Sequence, residues 1–257
     1  MFFRRLVWLT VVAASLAAAG CFGSGPDPAP SGPGVGQADV DRPAPGAPPA
    51  GHDWTAADRR ALAAPPNVET NVASLAEYLT SPFDNDYDKC RAVFTWTADR
   101  IAYDARALYG GSGGDASPDG VLASGRAVCE GFSGLVKALC DAAGVTAVVI
   151  EGMAKEDDYR PGKPAPFDRS HAWNAVRIDG RWLLMDATWG AGRVEGGRFI
   201  KNYSDFWFLT PPGAFAFSHL PDDQKWQLVA EPLTQNQFWN TQKLGADFFE
   251  LGFSPQQ

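Results

Sequence analysis

Asp179-Gly180 separates two apolar arms, His-Ala-Trp-Asn-Ala-Val-Arg-Ile over 171–178 and Arg-Trp-Leu-Leu-Met-Asp-Ala-Thr over 181–188. An Asp-Gly pair between such arms is the strongest short-range hairpin signal, because both turn residues of a tight hairpin take positive φ. A two-residue turn also fixes the register: Ile178 faces Arg181, Trp173 faces Asp186 and His171 faces Thr188. Alternate residues of a strand share a face, so His171 and Asp186 become diagonal neighbours about 7–8 Å apart, within reach of a side-chain hydrogen bond. A carboxylate set among Leu183, Leu184, Met185, Ala187 and Trp189 is costly to bury alone, and His171 is the obvious partner.

Upstream the period changes from two to 3.6. Phe132, Leu135, Val136, Leu139, Cys140 and Ala143 form one continuous apolar face, which predicts a helix over 130–143 with Gly144 as its C-terminal cap. The β-branched run Val145–Ile150 reads as a buried strand. Two more helices are predicted over 72–79 and 89–103, separated by Pro82 and the acidic cluster Asp84–Asp88. Residues 110–114 and 159–166 read as loops, and Phe206–Leu209 as a further strand. Helices followed by an antiparallel sheet make an α+β fold, with N-terminal helices packed on the sheet.

Cys129 immediately precedes the best helix. A free cysteine is by default a small buried hydrophobe, and Cys90 and Cys140 fit that reading. Position sets Cys129 apart, because the first-turn N–H groups and the dipole of a helix favour a thiolate. Cys129 and Cys140 lie about 16 Å apart along one helix and cannot pair, whereas Cys90–Cys140 remains open as a disulfide in an oxidising compartment. Thiol, imidazole and carboxylate then fall in the order nucleophile, base and orienting acid.

The chain of 257 residues has a net charge of −8 and a pI near 4.9, with no basic run, which argues against a nucleic-acid partner. Its four cysteines are too few for a disulfide scaffold and lack zinc-ligand spacing. Residues 1–20 read as a signal peptide: Arg4 and Arg5 precede the uncharged stretch Leu6–Ala19, too short for a membrane span. Ala18-Ala19-Gly20-Cys21 is similar to a bacterial lipobox, which makes Cys21 the expected lipidation site and the chain an exported, membrane-anchored lipoprotein of the cell envelope. Cleavage without lipidation, giving a soluble secreted protein, is the other reading of the same segment. The Pro- and Gly-rich stretch 22–51 is expected to be an extended tether, so the domains read 1–20, 21–52 and 53–257.

Three segments together resemble the transglutaminase-like superfamily, with its papain-like Cys-His-Asp core, in the branch of kyphoscoliosis peptidase and fungal cytokinesis proteins. They are Gly-Arg-Ala-Val-Cys-Glu-Gly-Phe at 125–132, Ser-His-Ala-Trp-Asn-Ala-Val at 170–176 and Leu-Met-Asp-Ala-Thr-Trp-Gly-Ala-Gly at 184–192. The likeness spans about residues 75–230 and takes in Ile101-Ala-Tyr-Asp104 and Phe208–His219 with Trp226-Gln227. It implies Cys129 as nucleophile, His171 as general base and acid, and Asp186 as the orienting acid. The Cys129 N–H is the expected oxyanion donor. His219 matches a recurrent position of the branch and is expected to make a structural hydrogen bond; His52 carries no signal. Ser133 is no hydrolase elbow, because Gly131-Phe-Ser-Gly-Leu lacks the final glycine. No cofactor, calcium loop or other metal set is expected. The implied activity is acyl transfer or hydrolysis at amide bonds of a protein or peptide substrate through a thioester. A non-catalytic binding or scaffolding module on the same fold is the alternative, against which the presence of all three residues argues.

Overall fold

In the computed structural model, which describes residues 43–108, 110, 113–156, 159–162 and 170–255, Asp179 and Gly180 take φ of 51° and 76°. These are the two positive values that a tight hairpin turn demands. Chain order is α1 (Thr55–Leu62), α2 (Val72–Thr80), α3 (Asp86–Arg100), β1 (Ala102–Tyr103), α4 (Ala105–Leu108), α5 (Pro118–Ser124), β2 (Arg126–Ala127) and α6 (Cys129–Ala142). Then come β3 (Ala147–Ala154), β4 (Ser170–Ile178), β5 (Arg181–Met185), α7 (Ala187–Ala191), β6 (Gly192–Glu195) and β7 (Arg198–Lys201). The described chain closes with α8 (Pro212–Phe215), β8 (His219–Pro221), α9 (Gln235–Asn240) and α10 (Ala246–Glu250). The result is an α+β fold: N-terminal helices against a four-stranded antiparallel sheet of order β5-β4-β3-β8.

The register is the one the turn dictates, with Ile178 opposite Arg181 and Asn174 opposite Met185. On the other side of β4, His171 lies opposite Gly152 of β3. Gly152 in turn pairs with Pro221 of β8, so β8 sits one strand further from His171. A Cβ on Gly152 would come within 2.2 Å of the Leu220 carbonyl oxygen and 2.8 Å of Trp173 Cη2, so only glycine lets the strands close here.

The predicted helix over 130–143 begins one residue earlier, at Cys129 itself. It ends as the sequence indicates: Gly144 has φ 77°, Val145 N–H donates to Cys140 O and Gly144 N–H to Asp141 O, the pair of bonds that closes a Schellman motif. Phe132, Leu135, Val136, Leu139 and Cys140 are all buried. Cys90 and Cys140 meet as free thiols between α3 and α6, and their mutual hydrogen bond, together with burial, pushes the Cys90 thiol up. α3 is the central helix, buried without interruption from Cys90 to Ala98. Its Arg91 guanidinium donates to both oxygens of Asp58 in α1 and to Asp205 near the far end of the chain.

Three expectations need correction. The helix predicted over 89–103 runs from Asp86 to Arg100: Asn85 caps it by accepting from Asp88 N–H, and Ala102–Tyr103 leaves the helix to pair in parallel with Arg126–Ala127. Phe206–Leu209 is no strand; Asp205–Trp207 is a 3₁₀ turn whose Trp207 carbonyl accepts from Asp186 N–H. The stretch 22–51 is not a tether at its C-terminal end. Gly46 N–H donates to Trp182 O at 2.7 Å and Trp182 N–H to Ala44 O at 2.9 Å, so these residues satisfy the open edge of β5. His52, which carried no sequence signal, bonds Asp88 at 2.8 Å. The candidate signal segment, the candidate lipidation site Cys21 and the first part of the expected linker lie outside the described residues.

Candidate active site

Each of the three chemistry-bearing residues sits at an element boundary. Cys129 opens α6 behind Val128, which has an extended conformation and supplies no side-chain cap, so the first-turn N–H groups have no side-chain acceptor at the cap. The close approach of α6 to its preceding turn is steric: a Cβ on Gly131 would come within 2.7 Å of Ala127 Cβ and 3.0 Å of Val121 Cγ2. His171 lies at the start of β4. Asp186 follows β5 and caps α7, its Oδ1 accepting from Thr188 N–H at 2.8 Å and Trp189 N–H at 3.1 Å.

The structure brings all three together. His171 Nε2 lies 2.8 Å from Asp186 Oδ2, and the Cys129 thiol is close enough to the His171 ring and the Ala172 N–H for both to act on its pKa. With Nε2 committed to the carboxylate, Nδ1 is the ring nitrogen left for the thiol. Burial pushes the Asp186 carboxyl up, but the charge and hydrogen bond of His171, joined by His219, outweigh it and hold the group far below the usual carboxylate range. Burial likewise lowers the His171 imidazole, and the Asp186 charge and hydrogen bond, with a further contribution from Cys129, raise it to about 10. For Cys129, burial favours the thiol; the His171 hydrogen bond and charge and the Ala172 N–H oppose it, and the net shift is downward. Geometry and charge therefore favour a thiolate–imidazolium pair oriented by a carboxylate.

Aromatic rings close the site. Trp189 and Trp173 stand 5.4 Å and 6.0 Å from the His171 ring by centroids and shield the His171–Asp186 bond from water. Lys243 reaches in from the C-terminal segment, its Nζ 5.1 Å from the Trp189 ring centroid. Sequence reasoning missed Trp189, Lys243 and the Ala172 N–H. Trp189 had a signal in its place three residues beyond a capping Asp that points at the histidine; Lys243 had none.

His219 makes the structural hydrogen bond expected of it, and its partner is the acid of the trio: Nε2 lies 3.2 Å from the same Asp186 Oδ2. His171, Asp186 and His219 thus offer three ligand atoms within 4.8 Å of one another, a composition that also occurs in metal sites. Their 2.8 Å and 3.2 Å contacts are hydrogen-bond distances, and two imidazole N–H donors on one carboxylate oxygen account for all three groups.

The site thus sets a buried, carboxylate-oriented imidazole beside a helix-initial thiol. Residues 73–187 match the model of the transglutaminase-like superfamily. Among curated proteins the chain is 33% identical to the kyphoscoliosis peptidase of Mus musculus, over 72% of this chain and 28% of that protein. It is 29% identical to hillarin of Drosophila melanogaster, over 76% of this chain and 25% of that one. The chain therefore spans about a quarter of the length of these relatives. Among solved structures, that of a TGase aligns with a TM-score of 0.34 at 20% identity, over 60% of this chain and 37% of the other.

Proposed function

We propose that the chain is a cysteine-dependent acyl-transfer enzyme acting on amide bonds of proteins or peptides, with Cys129 as nucleophile, His171 as general acid and base and Asp186 as the orienting acid. The observation that carries this reading is the 2.8 Å bond from His171 Nε2 to Asp186, which leaves Nδ1 to the thiol, beside a helix-initial Cys129 whose pKa the His171 ring helps to lower. In the first half-reaction the Cys129 thiolate bonds to the amide carbon. The resulting oxyanion is stabilised by first-turn N–H groups of α6, and the His171 imidazolium gives its proton to the departing amine as the C–N bond breaks. The product is a thioester on Cys129. In the second, His171 takes a proton from water or from an acceptor amine, which attacks the thioester and releases the thiolate. The setting we propose is the bacterial cell envelope, with Cys21 lipidated; the charge and length pattern of residues 1–21 supports it.

The test is the alkylation rate of Cys129 from pH 5 to 9, followed by peptide mass mapping so that Cys90 and Cys140 do not contribute. In the wild-type protein Cys129 is expected to react rapidly well below the ordinary thiol pKa of about 8.5, and His171→Ala is expected to abolish that advantage. Ordinary thiol behaviour in both proteins would sink the proposal. With a glutamine-bearing peptide and a primary amine present, ammonia release, chain cleavage and amine incorporation distinguish deamidation, proteolysis and cross-linking, and Cys129→Ala is expected to remove whichever occurs.

A further inference from the structure

Behind Asp186 the hydrogen bonds continue inward. His219 Nε2 contacts Asp186 Oδ2 at 3.2 Å, and Ser218 Oγ lies 2.8 Å from His219 Nδ1 and 3.2 Å from the Phe215 carbonyl oxygen. Ser218, His219 and Asp186 have the composition of a hydrolase triad, yet Ser218 is 0% and His219 1% exposed, so no substrate carbonyl can reach that hydroxyl. The relay serves the acid instead. Both carboxylate oxygens of Asp186 are held, Oδ1 by the Thr188 and Trp189 N–H groups and Oδ2 by two imidazoles.

We propose that His219 is a positioning residue of this site: its Nε2–H holds Asp186 Oδ2 from a second direction, and the Ser218 hydroxyl fixes the tautomer that presents this proton to the carboxylate. The proposal rests on the thiol-nucleophile reading above. Its logic is one of proton count. An imidazole that donates from Nε2 while neutral must accept at Nδ1, and the single hydroxyl proton of Ser218 then goes to Nδ1 at 2.8 Å in preference to the Phe215 carbonyl at 3.2 Å. Neutrality follows from the surroundings. Phe215 stacks on the ring at 4.0 Å and Trp173, Trp189 and Trp207 enclose it. Burial first of all lowers its pKa, to about 4, with the charges of His171 and Lys243 acting in the same direction and Asp186 opposing. Those are the charged groups that face it from β4, the C-terminal segment and the cap of α7. A neutral donor fixes the carboxylate without neutralising it, which leaves the Asp186 charge to His171.

The experiment compares Cys129 alkylation by iodoacetamide from pH 5 to 9 in the wild-type chain and in His219→Phe, His219→Gln, Ser218→Ala and His171→Ala. Phenylalanine keeps the ring shape and lacks the donor; glutamine returns an N–H near the Nε2 position. The rate at pH 6 is expected to fall about tenfold in His219→Phe and about threefold in Ser218→Ala, and to stay within about twofold of wild type in His219→Gln. A purely structural histidine would lower the melting temperature of His219→Phe and leave the pH profile in place, and that result overturns the proposal. Equal losses in His219→Gln and His219→Phe overturn it too. Should His219→Phe fail to fold, a Ser218→Ala profile coincident with wild type decides against it. If His171→Ala also coincides with wild type, the nucleophile reading itself falls and takes this proposal with it; if His171→Ala flattens the profile and the His219 and Ser218 variants do not, only the positioning role is lost.

Discussion

Asp186 accepts four hydrogen bonds, two from backbone N–H groups of α7 and two from imidazoles. Asp186→Asn keeps an oxygen for the cap but turns an NH₂ toward two N–H donors. It is expected to lower kcat by about 10³-fold or more while the protein still folds, as measured by steady-state kinetics beside circular dichroism. The two histidines place opposite pH dependences on stability. His219 is held at about 4 when folded. The unfolded chain takes up that proton below about 6.5, so stability is lost as pH falls from about 6.5 towards 4. His171 is raised to about 10, so its contribution is full below the unfolded value and fades as pH climbs through 10. Melting temperature against pH checks this: His219→Phe is expected to flatten the acid side between pH 6.5 and 4, and His171→Ala the alkaline side. The pairing of His171 with Asp186 was legible because a two-residue turn and a period of two are local rules. The partner of His219 was not, because it depends on β8 joining β3, and no local pattern encodes a contact 33 residues away.

Among the elements, β3 carries the tightest steric condition, at Gly152. Gly152→Ala forces a methyl into the Leu220 carbonyl and the Trp173 ring, and it is expected to cost about 1–3 kcal/mol in urea unfolding. Activity should fall with it, because Trp173 packs on both His171 and His219. Elements with an internal signal were readable: α6 from its apolar face and its Gly144 stop, β4 and β5 from alternation around Asp179-Gly180. Segment 206–209 misled because its Phe-Trp-Phe-Leu composition suits a strand equally well. What decides its conformation is tertiary: Trp207 is buried beside Phe215 and its carbonyl is claimed by Asp186 N–H.

Across the folded unit, Arg91 ties together segments remote in sequence. It joins α1 through Asp58 and the 3₁₀ turn through Asp205, and its guanidinium lies over Phe208 at 5.2 Å. Arg91→Ala is expected to destabilise by about 3 kcal/mol in denaturant unfolding, the low end for a broken buried ion pair because both carboxylates keep some contact with water. The α+β architecture followed from the order of the periodic segments. The way the chain N-terminal to α1 folds back on β5 did not, since a Pro- and Gly-rich composition reports what a segment cannot bury and says nothing of a nearby strand edge it can satisfy.

The double duty of Asp186 also bears on how descendants of such a chain would decay. A copy relieved of catalysis still needs an oxygen to cap α7 and to receive two buried N–H groups, so its aspartate would be retained for folding alone. Cys129, half-buried at the first position of a helix, answers to no comparable structural demand and is free to drift to serine or alanine. In a lineage of these proteins the thiol, and not the acid, is the letter whose loss would record that the chemistry had been abandoned.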